Sequence, residues 1–142
     1  MGFRLKVQGG DKDIELNEYQ LNAVEFLSTT PNASNARASE VGLGVKINGK
    51  INFSLGAEEE DITVELANWA VLPSEDAKCY RNVDVQVVSG GQVVRNYILP
   101  NAFVTNYSEE LDDETGVGSF LLTLRQKRDL NEKVELKGGF EA

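Results

Sequence analysis

Alternation of apolar and polar positions is the dominant pattern of this chain. Near its start Phe3, Leu5 and Val7 alternate with charged or polar residues, and the same period of two returns at 83–87 and 120–124. Because neighbouring side chains of a strand point to opposite faces, each segment predicts a β-strand with one buried face. Shorter apolar stretches predict further strands at 14–16, 21–27, 93–99, 102–107 and 134–136.

Turn residues separate these segments. Ser89-Gly90-Gly91 predicts a hairpin, and Pro100 predicts the end of the strand that follows it. Asn48-Gly49, within the alternating stretch 41–53, is compatible with a tight hairpin or with one long strand that carries a glycine bulge. Gly42 and Gly44 lie opposite the apolar face, which suggests that something packs closely there, such as a neighbouring chain.

The segment at about 60–72 has a different period. Its apolar positions 62, 66, 69 and 70 recur on one helical face, and Pro73 follows as a helix terminator. The acidic run 58–61 lies at the expected start, where the helix dipole favours negative charge. The alternative is a strand in which Ile62, Val64 and Leu66 share a face.

Together these elements predict one domain that spans residues 1–142. The expected fold is mainly β, a single-domain antiparallel β-barrel or sandwich of roughly 8–10 strands with one lateral α-helix at about 60–72. The segment Ser28–Ser39 has the composition of the longest loop. Such a loop either makes subunit contacts or is mobile, or it is a plain connection.

Charge and composition exclude several classes of partner. The net charge of −9, from 14 basic and 23 acidic residues, argues against a basic nucleic-acid surface and against docking on an anionic membrane. The first residues are too polar for a signal peptide. We therefore expect a cytoplasmic protein whose export would need a dedicated machine. The single cysteine, Cys79, excludes an internal disulfide and is expected to be a small buried residue.

The sequence offers little catalytic chemistry. It contains no histidine, which removes the commonest general base and the commonest zinc ligand. Carboxylates are concentrated at 109–114 and could in principle bind calcium or act as an acid–base pair. Their spacing is not that of an EF-hand, so a solvated acidic turn is the better interpretation. We expect no enzyme activity, no cofactor and no metal site.

The second half of the chain resembles a known family. It reads "YRNVDVQVVSGGQVVRNYILPNAFVTNYSEEL" at 80–111 and "GVGSFLLTLRQ" at 116–126. This order of hairpin, long strand, polar loop and alternating strand resembles the haemolysin-coregulated tube protein of type VI secretion systems and, more broadly, the phage tail-tube fold. The resemblance implies a β-barrel that forms hexameric rings. Such rings stack into a hollow tube that a contractile machine drives into a target.

The resemblance also implies partners and contacts. The partners would be other copies of the chain, together with sheath, baseplate or effector proteins. A head-to-tail contact would bring an acidic turn against a basic strand end of a neighbour, with these candidates: Asp112, Asp113, Glu114, Arg125, Lys127 and Arg128. The long loop would reach the next ring through Asn32, Asn35 and Arg37.

Three alternatives remain open at the level of sequence. The acidic turn and the basic end are also compatible with two ordinary solvated ends of one hairpin. The chain as a whole could be a small β-barrel binding or adaptor module, with an apolar interior lined by Phe26, Phe53, Val85 and Phe120. An enzyme that uses carboxylates is the third.

Overall fold

The computed structural model of the protein describes residues 1–29, 42–51 and 62–138. Within them lie eight strands and one α-helix: β1 (Gly2–Gln8), β2 (Ile14–Leu16), β3 (Leu21–Thr29), β4 (Gly42–Ile51), α1 (Val64–Ala70), β5 (Arg81–Ser89), β6 (Gln92–Leu111), β7 (Gly118–Gln126) and β8 (Glu135–Gly138). Two short 3₁₀ helices lie at Ala77–Cys79 and Arg128–Lys133. The prediction of a mainly β fold with one helix is confirmed.

All strand pairs are antiparallel, and the strand order is β2-β1-β5-β6-β7-β4-β3. The first half of β6 pairs with β5, and its second half pairs with β7. The last strand, β8, pairs with β6 at 95–98, where β5 already occupies the opposite edge. Strand β6 is therefore the shared element that joins the two halves of the sheet.

A bulge lies in the middle of β6. Pro100 and Asn101 together lie opposite the single residue Asn82 of β5, so β6 has one extra residue here, and Asn101 has φ of 64°. The prediction that Pro100 ends the strand is therefore wrong. Proline has no N–H to donate to a ladder, but a bulge tolerates this loss, and asparagine adopts the left-handed conformation more readily than most residues.

Asn48 and Gly49 do not form a hairpin, because β4 continues through them to Ile51. The irregularity is on the partner strand, where Asn22 is the extra residue of a bulge in β3. A Cβ on Gly49 would lie 2.6 Å from the carbonyl oxygen of Gln20 and 2.6 Å from Cζ of Phe120. Close packing around this bulge thus explains the glycine.

The space beside Gly44 is also filled from within the chain. A Cβ at this position would collide with the backbone carbonyl oxygen of Leu124 in β7. The neighbour inferred from the glycine pattern is therefore a strand of the same chain. At the other end of the sheet, Gly90 and Gly91 both have positive φ values and form the predicted hairpin between β5 and β6.

The helix lies within the predicted segment, and the alternative of a strand there is wrong. Leu66 and Trp69 are 0% and 1% exposed, and α1 packs against β6. After the helix, the Leu72 amide donates to the carbonyl oxygen of Trp69 at 3.2 Å, one residue before Pro73. The predicted first residues of the helix and the acidic run 58–61 lie outside the described residues.

The interior is occupied by the protein's own side chains. Val85 and Phe120 are 0% and 1% exposed and belong to one hydrophobic cluster with Trp69. Phe26 is partly buried at the edge of this cluster and stacks on Tyr97 with ring centroids 5.1 Å apart. These side chains form a packed core, whereas a binding module would need them to line an open pocket. Phe53 lies outside the described residues.

Candidate functional site

The acidic turn predicted from the sequence joins β6 to β7. The Asp112 carboxylate accepts a hydrogen bond from the Glu114 amide at 2.9 Å, and the Asp112 carbonyl accepts one from the Gly116 amide at 2.9 Å. Gly116 has φ of 69°, a value that favours glycine. Asp112 therefore shapes the turn, while the side chains of Asp113 and Glu114 are exposed at its tip.

Two apolar side chains flank the carboxylates. Leu111 is 62% exposed and Val117 is 53% exposed, and the backbone joins them through the Asp112 amide, which donates to the Val117 carbonyl at 3.2 Å. We define Leu111, Asp112, Asp113, Glu114 and Val117 as the acidic tip. Leu111 and Val117 were not among the candidates predicted from the sequence. Their signal was present, because they are the apolar residues in an otherwise polar and glycine-containing loop.

The basic residues lie at the other end of β7. The Arg125 guanidinium donates to Oγ1 of Thr29 at 3.2 Å. The Lys127 ammonium lies 5.2 Å from the centre of the Tyr80 ring, which meets Phe103 edge-on at 5.9 Å. At this distance a cation is attracted to the ring face.

These side chains form a depression that combines positive charge with half-buried aromatic rings. We call it the basic cleft, and its lining is Thr29, Gly42, Tyr80, Phe103, Arg125, Gln126 and Lys127. The backbone of Arg128 begins the 3₁₀ helix beyond it. The candidates Asn32, Asn35 and Arg37 lie outside the described residues.

One subunit holds the acidic tip and the basic cleft apart. Strand β7 begins at Gly118, next to the tip, and Arg125 is seven residues further along. At about 3.3 Å per residue this separation is about 23 Å. The carboxylates of the acidic tip therefore cannot reach Arg125 of the same chain, because the two lie at opposite ends of β7.

A second set of residues fixes the helix beside the sheet. Arg81, at the start of β5, is 6% exposed, and its guanidinium lies 5.1 Å from the centre of the Trp69 ring. Its Nε donates to the carbonyl oxygen of Lys78 at 2.8 Å, and Nε1 of Trp69 donates to the carbonyl oxygen of Cys79 at 2.8 Å. Arg81 was not among the candidates predicted from the sequence, because nothing in a strand pattern marks one arginine as buried.

Burial and pairing shift several pKa values around Arg81. Burial lowers the pKa of Arg81, although carboxylates led by Glu65 oppose that change. Burial also raises the pKa of the Cys79 thiol. On the surface, the Lys78 ammonium lies 2.6 Å from the Asp11 carboxylate, and this pairing lowers the pKa of Asp11 and raises that of Lys78. These residues hold α1 and the first 3₁₀ helix against the turn after β1.

Among the residues that the structure describes, no three histidine, cysteine or acidic side chains form a group that could hold a metal ion. No helix in the same ranges is both long and apolar enough to cross a membrane. The acidic tip and the basic cleft are the surfaces on which Asp112, Asp113, Glu114, Arg125 and Lys127 lie.

No family model matches the chain, and no curated protein matches its sequence. Solved structures do match its fold. Hcp1 from Flavobacterium johnsoniae superposes with a TM-score of 0.55 and 13% identity over 100% of both chains. A chain of the anti-feeding prophage (AFP) baseplate has a TM-score of 0.55 and 14% identity, over 96% of this chain and 93% of that chain.

A third match comes from the sheath–tube complex of PVC, an extracellular contractile injection system, in its extended state. Its TM-score is 0.53 with 16% identity, over 96% of this chain and 89% of that chain. The similarity extends over nearly the whole chain in each case, so it includes the N-terminal strands as well as the segment that carried the sequence resemblance. The chain has the Hcp-like fold of tail-tube proteins.

Proposed function

We propose that this protein is a structural, non-enzymatic subunit of a tube in a contractile injection or phage-tail-like assembly. Residues 1–142 would act as one tube-protein domain that associates with copies of itself into hexameric rings, and the rings would stack. The observation that carries this proposal is the likeness over almost the full chain to components of such machines, at coverage of 96–100%.

The packed core favours this role over that of a binding module with an open interior. Val85, Phe120 and Trp69 belong to one buried hydrophobic cluster, so these side chains do not line a ligand cavity. Among the described residues, β2 and β3 are the two ends of the strand order. Strands at the ends of a sheet and an exposed charged hairpin are suited to contacts between subunits.

The proposed assembly would also contain proteins other than this subunit. Two of the matched chains come from a baseplate and from a sheath–tube complex. By analogy, this subunit would contact sheath and baseplate proteins in its own particle, and effector proteins could travel in the tube. It would assemble in the cytoplasm and leave the cell only as part of such a machine.

Self-association is tested by the mass of the purified protein in solution. Light scattering on a size-exclusion column, at several loading concentrations, should give six copies of 15.6 kDa, about 94 kDa, or larger multiples. A mass of one subunit at every concentration would contradict the proposal. Because charged contacts are screened by salt, the measurement is made at low and at high ionic strength.

A further inference from the structure

A buried glutamine lies where β7 ends and the chain turns toward β8. Gln126 is 2% exposed, and its Nε2 donates to the carbonyl oxygen of Pro100 in the bulge of β6. The same nitrogen lies 3.4 Å from each of the carbonyl oxygens of Lys127 and Leu130. Because carbonyl oxygens only accept hydrogen bonds, these neighbours fix which end of the amide faces them. The Gln126 side chain thus joins the bulge to the end of β7 and to the second 3₁₀ helix.

Two successive carbonyl groups of the bulge receive donors from this corner of the fold. The Pro100 carbonyl accepts from the Gln126 side chain, and the Asn101 carbonyl accepts from the Lys127 amide at 3.2 Å. A bulge interrupts the ladder that would otherwise supply donors, and backbone carbonyls away from water need partners. Residues 126 and 127 therefore tie the segment after β7 to the point where β6 passes from β5 to β7.

The strand β8 has little apolar anchorage of its own. Its four residues are all exposed, including Leu136 at 54%, and its backbone pairs with β6 at 95–98. Val134, one residue before β8, is partly buried and packs against the hydrophobic cluster. Elements with few buried apolar contacts open locally at the lowest free energies. What holds the chain just before β8 therefore matters for whether β8 stays on the sheet.

We propose that Gln126 is a latch that keeps residues 127–138 closed on β6. While the latch holds, the second 3₁₀ helix stays beside the bulge and β8 covers the edge of β6 at 95–98. When the latch opens, the helix and β8 leave together, and this edge becomes accessible. An uncovered strand edge pairs readily with other chains, so the latch controls when the edge is available. The inference goes beyond the proposed function and does not depend on it.

Packing alone does not explain a glutamine at this position. Methionine has a similar length and shape and would fill the same space without an amide to bury. Moreover, Oε1 of Gln126 is buried and, within the ranges that the structure describes, has no hydrogen-bond partner. Burial of such an oxygen costs free energy. The donor nitrogen, with its carbonyl partners on three segments, is what gives the glutamine a role.

Hydrogen exchange in the variant Gln126→Met tests the latch. The substitution keeps the length of the side chain and removes the donor. Measured by mass spectrometry on the full chain, peptides from 127–138 should exchange about tenfold faster than in the wild type, since one hydrogen bond is lost. Peptides from β4 and β5 should be unchanged. Gln92→Met is a matched control, because Gln92 is exposed at the start of β6, and it should change neither region.

Unchanged exchange at 127–138 in Gln126→Met would overturn the inference. Equal acceleration in every strand would also overturn it, because the amide would then stabilise the fold as a whole and would not hold one segment. A second measurement decides the question if the variant does not fold. In wild-type protein at increasing urea below the unfolding transition, the second 3₁₀ helix and β8 should open together, with one dependence on urea and before β7. Opening of β8 while the helix remains protected would contradict a shared latch.

Discussion

Replacement of Arg81 tests how the lateral helix is held. This side chain is 6% exposed, its guanidinium lies over the Trp69 ring, and its Nε donates to the carbonyl oxygen of Lys78. These two contacts join β5 to α1 and to the first 3₁₀ helix. Arg81→Met keeps most of the apolar stem and removes the charge and the donors, and Arg81→Ala removes the stem as well.

The contacts set the expected magnitude. A hydrogen bond from a charged group contributes about 1.5–3 kcal/mol, and a desolvated cation over an indole contributes about 2 kcal/mol. Methionine avoids the desolvation of a buried charge, which offsets part of the loss. We expect the free energy of unfolding to fall by about 2 kcal/mol for Arg81→Met and by about 3 kcal/mol for Arg81→Ala, since alanine also loses the packing of the stem.

Urea unfolding followed by tryptophan fluorescence measures this effect. Trp69 is the single tryptophan of the chain, so its emission reports directly on the ring that Arg81 covers. Arg95→Met is a matched control on the exposed surface of β6, where a change of less than about 0.5 kcal/mol is expected. If Arg81→Met were as stable as the wild type and its emission unchanged, the stacked arginine would not stabilise the docking of α1.

Three further predictions concern the core, a polar contact and the thiol. Gly49→Ala should lower the free energy of unfolding by about 1–3 kcal/mol in urea titrations, because the new Cβ meets the Phe120 ring; a neutral result would mean that the bulge relaxes freely. Asn96→Leu removes the 3.0 Å hydrogen bond from the buried Asn96 amide to the Val85 carbonyl, so a loss of about 1–3 kcal/mol is expected in the same assay, and unchanged stability would contradict it. Because burial raises the pKa of Cys79, the folded protein at a given alkaline pH should be alkylated more slowly than the urea-unfolded chain, and equal rates would refute this. The same shift makes the stability of the fold depend on pH, because the pKa of the Cys79 thiol is higher in the folded chain than in the unfolded chain. Its contribution to the free energy of unfolding is fully present below the unfolded-state pKa and is lost as the pH rises through the folded-state pKa.

Much of the fold is encoded in local patterns. The alternation at 83–87 and 120–124 predicted strands that the structure contains as parts of β5 and β7. The helix followed from a change of period, and the hairpin at Gly90-Gly91 followed from its turn residues. These signals are reliable because the period of the side chains and the φ values of a turn are properties of a few consecutive residues.

Features that depend on contacts between distant segments could not be predicted in this way. The sequence did not indicate that β6 continues through Pro100, because the bulge depends on pairing with β5. Asn48-Gly49 was compatible with a hairpin or with one long strand that carries a bulge, and local pattern could not decide between them, because the glycine is required by its proximity to Phe120, 71 positions away. Likewise, the burial of Arg81 beside Trp69 is a tertiary property.

In the candidate site, too, the local features could be predicted and the contacts between distant segments could not. The acidic turn and the basic strand end were visible as charge patterns, and the structure places each at its predicted end of the β6–β7 hairpin. The aromatic rings of the basic cleft were not foreseen, because Tyr80 and Phe103 are distant in sequence and meet only in the fold. That these two surfaces meet between subunits stays a prediction.

Negative-stain electron microscopy of the purified wild-type protein is the most direct test of the central proposal. A tube subunit should give rings of uniform diameter with a central hole, and at higher concentration stacks of such rings in side view. Particles no larger than one 15.6 kDa chain under every condition, or aggregates without a hole or symmetry, would contradict the account.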